Sequence, residues 1–119
     1  MNDYIVMFKE SKFKRFKFLK DFGHVLIFVK DINNNWIGID CIENGIDITV
    51  VPNNILLDFC NKYNFIYLKD WDAHKNKQLF RLTYKSCVST IKSILGINKY
   101  FIFTPKQLYN FLLFYRREH

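Results

Sequence analysis

The sequence predicts an α+β fold in which one antiparallel sheet packs on about three helices, within a single domain spanning residues 1–119. Val- and Ile-rich runs between residues 23 and 52 are separated by Asn- and Gly-bearing turns and closed by Pro52, the signature of a meander. Segments starting near residues 53, 87 and 105 instead place apolar residues at helical spacing, with cap or stop residues at their ends. Four Gly and two Pro leave no linker, no internal repeat and no domain boundary, and the length suffices for a real core.

Tyr4 to Phe8 reads as a short strand. Ser11 is placed to cap a short helix, KFKRFKFLK, with Phe13 and Phe16 on one side and Lys12, Lys14, Arg15 and Lys17 mostly outside. GHVLIFVKD, the turn INNN and WIGIDC then form a β-hairpin, and a second turn, ENG, leads into IDITVV. Asn53 or Asn54 is expected to cap a helix through ILLDFCNKY, with Ile55 and Phe59 facing inward and Leu56 and Cys60 as secondary candidates. Asn64 to Lys69 and Leu79 to Tyr84 read as strands around the polar loop DWDAHKNK. Cys87 to Leu95 is a helix with Val88, Ile91, Ile94 and Leu95 on one face and Gly96 as its stop. After an extended Tyr100 to Phe103, Thr104 caps a last helix that opens on Pro105 and reaches about Arg117.

A formal charge of +7 favours anionic partners such as nucleic acid, acidic lipid, a cell-wall polymer or an acidic protein face. Cys41, Cys60 and Cys87 are odd in number and show no CxxC, the pattern of reduced thiols in a cytosolic folding compartment. The apolar run at the start is too short for a signal peptide, and Val25 to Val29 is too short to span a bilayer. No HExxH, Gly-rich phosphate loop or GxSxG is present, so zinc, nucleotide and serine-hydrolase chemistry have no motif, and no metal or cofactor is expected.

The chemistry-bearing candidates are Cys87, His24 and Asp40. A thiol becomes a nucleophile as its thiolate is stabilised, and the free N–H groups and dipole of a helix N-terminus do that. Cys87 stands where TYKS enters its helix, and its own N–H can serve an oxyanion. Taken alone, a free Cys there is more commonly a buried apolar residue than a nucleophile. His24 opens the most apolar strand directly after Gly23, where a ring is held rigidly and can reach a cleft, or is equally a satisfied edge residue; His74 lies in the polar loop and His119 is terminal. With a hairpin turn centred near Ile32, His24 and Asp40 sit directly opposite, about 5 Å apart between Cβ atoms. A one-residue change of register would put Cys41 opposite His24 instead. Asp40 is conspicuous in WIGIDC, because a buried carboxylate is costly unless paired.

GHV in the first sheet strand, W-x-x-x-D in the next, and then S-C-V-x-x-I-K-x-I-L-G-I followed by TP-x-x-L-Y resemble the circularly permuted papain-like hydrolases. That group includes NlpC-type and lecithin retinol acyltransferase-like proteins, and small phage- or prophage-encoded members look most similar. The resemblance runs from about Phe22 to Leu113, with the block around Cys87 as its most specific part. It implies a fold with the His strand first and the Cys helix late, Cys87 as nucleophile, His24 as base and Asp40 as the orienting residue. Lecithin retinol acyltransferase-like proteins carry Asn where this chain has Ser86, and often a second His at the place of Asp40, which sets this chain apart from the acyl-transfer branch.

The expected function is therefore a cysteine hydrolase that cleaves an amide or ester through a thioester, on a peptide, cell-wall or acyl substrate, with phage-associated peptidoglycan as the family-based guess. The alternative is a virion or tail component that keeps the fold and contacts other virion proteins with little or no catalysis. Host cytoplasm or virion is the expected location. A nucleic-acid-binding role for the Lys-rich residues 9–20, with Phe13, Phe16 and Phe18, ranks below both.

Overall fold

In the computed structural model, residues 2–10, 22–42, 45–73, 87–97 and 102–118 are described. Within them the chain forms β1 (Asn2–Lys9), β2 (His24–Lys30), β3 (Asn35–Ile42), β4 (Gly45–Pro52), α1 (Asn53–Cys60), β5 (Asn64–Trp71), α2 (Cys87–Leu95) and α3 (Pro105–Glu118). The architecture is α+β. The five strands make one antiparallel sheet in the order β4-β3-β2-β1-β5, with three helices packed on it. The expected helix over Ser11 to Lys20, the expected strand over Leu79 to Tyr84, His74, Ser86 and His119 lie outside the described residues.

β1 takes a place inside the sheet, between β2 and β5, and its burial explains its composition. Tyr4, Val6 and Phe8 face one side and Ile5 and Met7 the other, all of them buried. A strand covered on both faces has no polar positions to alternate with. The first face carries α2 and α3, whose Val88, Ile91, Leu95, Leu108 and Leu112 close a core over Val25, Ile27, Ile66 and Leu68. The second face carries α1, with Leu56 and Cys60 on Ile5, Met7, Phe28 and Trp36. Gly38 is needed here: a Cβ would come within 2.8 Å of both the Phe28 ring and the Thr49 hydroxyl.

α1 differs from expectation in two respects. Its N-cap is Pro52, whose ring carries no acceptor and so gives no side-chain cap, while the Asn53 carboxamide oxygen accepts from Trp36 Nε1 at 2.8 Å. Its buried pair is Leu56 and Cys60, four residues apart on one stripe, whereas Ile55 and Phe59 stay nearly half exposed. The other two helices end as their sequences indicate. Gly96, at φ 70°, stops α2 while the Ile97 N–H reaches Lys92 O at 2.8 Å, and a side chain at Gly96 would run into the Ala73 carbonyl. Thr104 and Gln107 form a reciprocal capping box at the start of α3: Gln107 N–H donates to Thr104 Oγ1 at 3.2 Å and Thr104 N–H to Gln107 Oε1 at 3.1 Å.

The β2–β3 turn sets the register that matters for function. Asp31 N–H donates to Asn35 O at 2.8 Å, and Asn34 adopts φ 64°, so the loop is Ile32-Asn33-Asn34. Asn tolerates the left-handed conformation that closes such a three-residue loop. The turn therefore centres on Asn33 and not on Ile32, and the ladder pairs Ile27 with Ile39 and Phe28 with Gly38. Continued to the strand ends, this register sets Asp40 opposite Leu26, two residues from the direct pairing with His24 that a turn at Ile32 requires.

Candidate functional site

A two-residue shift preserves side-chain parity, so His24 and Asp40 still share a face, as diagonal neighbours on adjacent strands. Diagonal Cβ atoms lie about 7–8 Å apart, a span that an imidazole and a carboxylate together can bridge. They do: His24 Nε2 and Asp40 Oδ1 are 2.5 Å apart, and both side chains are about a fifth exposed. The direct pairing is thus corrected to a diagonal one, and the contact itself is present.

His24 is fixed from behind as well as across. Phe22, two residues earlier, packs edge-on against Tyr109 with ring centroids 5.0 Å apart and lies 5.8 Å from Phe8. The Lys106 ammonium sits 4.1 Å above the Phe22 ring. The chain therefore enters β2 along a set path, with His24 paired to Lys9 of β1.

The third group arrives from α2. Cys87 is that helix's first residue, is half-buried against the core, and is one of the groups that raise the pKa of the His24 ring. One imidazole is thus acted on by a carboxylate from β3 and a thiol from α2. Partial burial alone opposes charge on the ring, but the bond to Asp40 and the influence of Cys87 outweigh it. The His24 pKa is pushed up to about 9, so the ring is an imidazolium at neutral pH.

A neighbouring contact, which nothing in the sequence singled out, ties the two supporting elements together. Cys41 follows Asp40 and so points to the other face, where its Sγ donates to Thr90 Oγ1 at 3.0 Å. Thr90 is buried, one turn beyond Cys87 on α2. β3 and α2 are thus joined beside the residues that reach His24. Cys41 is half-buried and belongs to neither core, whereas Cys60 is buried in the α1 core, where burial pushes its thiol pKa up.

Among the described residues no group of three His, Cys, Asp or Glu side chains is placed to hold a metal ion, and no helix is long and apolar enough to cross a membrane. What the cluster can do chemically is exchange a proton between sulfur and imidazole at the first turn of a helix. No protein-family model, curated protein or solved structure matches the chain.

Proposed function

We propose that the chain is a cysteine hydrolase of permuted papain-like type, with Cys87 as nucleophile, His24 as acid–base and Asp40 as its orienting residue. The observation that carries this reading is the His24 ring, held by Asp40 and interacting electrostatically with Cys87. The chain order, with a His strand first and a Cys helix late, supports the same reading.

In this mechanism the Cys87 thiolate attacks an amide or ester carbonyl. The Cys87 backbone N–H, at the first position of α2, donates to the developing oxyanion. Asp40 occupies Nε2, which leaves Nδ1 to exchange the proton with sulfur and substrate. His24 then protonates the leaving amine or alcohol, and a thioester remains on Cys87. With its proton gone, His24 takes one from water, hydroxide attacks the thioester, and the acid and free thiolate are released. A peptide crosslink or stem of peptidoglycan is the substrate that the family resemblance favours.

The test is to trap the acyl-enzyme. Incubation with activated esters and with muropeptide amides, followed by mass spectrometry, should show an adduct on the peptide bearing Cys87 that decays with product release and is absent in Cys87→Ala. No adduct and no turnover with either class would overturn the reading. The second reading, a virion component that keeps the fold, is favoured by the exposed Ile48, Val50, Leu57 and Phe59, and it predicts that negative result.

A further inference from the structure

The two edges of the sheet are built differently. At the β5 edge, Asp70 turns to φ 52°, its N–H held at 2.9 Å by Asp3 Oδ1, and a register shift interrupts pairing between Asn2 and Tyr4 of β1. Lys69 and Asp70 add exposed charge to that end. Bulges, charges and bends are the devices by which edge strands avoid further pairing. β4 has none of them between Ile46 and Val51 except the single charge of Asp47. It is regular along its whole pairing with β3, and its Ile46, Ile48 and Val50 are 44%, 64% and 65% exposed in one row.

From this contrast we propose that β4 is a self-association strand, pairing antiparallel with β4 of a second copy about a two-fold axis through Ile48. The register follows from the residues. Centred on Ile48, Ile46 lies opposite the partner copy's Val50, and the two Ile48 side chains meet at the axis, so the apolar rows join on one face. Asp47 then lies opposite the other copy's Thr49, whose hydroxyl can donate to the carboxylate. Centring on Asp47 would set two carboxylates face to face, and centring on Thr49 would bring Pro52, which has no N–H, into the ladder opposite Ile46. The pairing extends the sheet from five strands in each chain into one continuous sheet and leaves His24, Asp40 and Cys87 in place.

Light scattering on the eluting full-length chain tests this. The expected mass is that of two 14.5 kDa chains. Ile48→Lys and Ile48→Asp should each halve it, since each places like charges at the axis, and mixing the two variants should restore the mass of a pair. Ile32→Lys, on the hairpin turn where the side chain is 98% exposed, should leave the dimer intact. A monomeric wild type overturns the proposal, even with β4 amides protected from exchange, because another segment then covers the edge. Dimers that persist in both Ile48 variants, or folded variants that fail to pair when mixed, also overturn it.

Discussion

Asp31 and Asp40 lie at opposite ends of the β2–β3 hairpin and do different work. At the closed end, Asp31 Oδ1 accepts from the backbone N–H groups of Asn33 at 2.9 Å and Asn35 at 2.8 Å. Those donors belong to the turn itself, so the carboxylate shapes the loop and, through it, the strand register. At the open end, Asp40 holds the imidazole of His24, sixteen residues away in sequence. An aspartate within two to four residues of free backbone donors is used locally. One set in an apolar strand, away from any turn, must find a partner from another element, and the partner here is a titrating ring that also interacts with a thiol. The closed end therefore governs stability and register, and the open end governs proton transfer.

The largest effect should come from Asp40→Asn. It removes the charge that holds the ring, so ester turnover and Cys87 alkylation at neutral pH should fall about 100-fold. In an NMR titration His24 should move back toward about 6.5. Asp31→Asn should leave both readouts within about twofold, and a comparable loss there would erase the distinction between the ends.

Next in size is the pH dependence of stability. His24 has a folded-state pKa near 9, above its unfolded value near 6.5. Its contribution is fully present below pH 6.5 and is lost as pH rises through 9. Urea denaturation should show this as a decline of roughly 2 kcal/mol between those limits, moderated by the water that reaches both side chains. The decline should shrink in Asp40→Asn and be undiminished in Asp31→Asn.

The smallest effect belongs to the turn. Asp31→Ala deletes two hydrogen bonds to backbone N–H groups and should lower the unfolding free energy by about 1–2 kcal/mol. Thiol reactivity, measured on the folded protein, should not change.

Much of this arrangement is legible in the sequence, for reasons that also explain what is not. The β2–β3–β4 meander follows from Val- and Ile-rich runs between Asn and Gly turns, and α2 and α3 follow from Gly96 and the Thr104-Pro105 start. Asp40 was identifiable because a lone carboxylate in WIGIDC needs a partner. The register was not, because it depends on which Asn of INNN takes the left-handed position, and three adjacent Asn leave that choice to the turn's hydrogen bonds. His24 and Asp40 meet even so, since a two-residue shift keeps both on one face. The inward face of α1 is not legible for a tertiary reason. Ile55 and Phe59 have the same spacing as Leu56 and Cys60, and the Trp36–Asn53 hydrogen bond, made across 17 residues, ties the helix's start to the sheet. The Cys41–Thr90 contact spans 49 residues and leaves no local pattern to read.

The central claim, that His24 and Cys87 share a proton as a working pair, is tested most directly by the pH profile of Cys87 alkylation with iodoacetamide, with the modified residue identified by mass spectrometry. The account predicts rapid labelling of Cys87 well below pH 8 in the wild type, lost in His24→Ala, with Cys60 unreactive in the folded state. Slow labelling of Cys87 with an ordinary thiol profile, unchanged by His24→Ala, would contradict it.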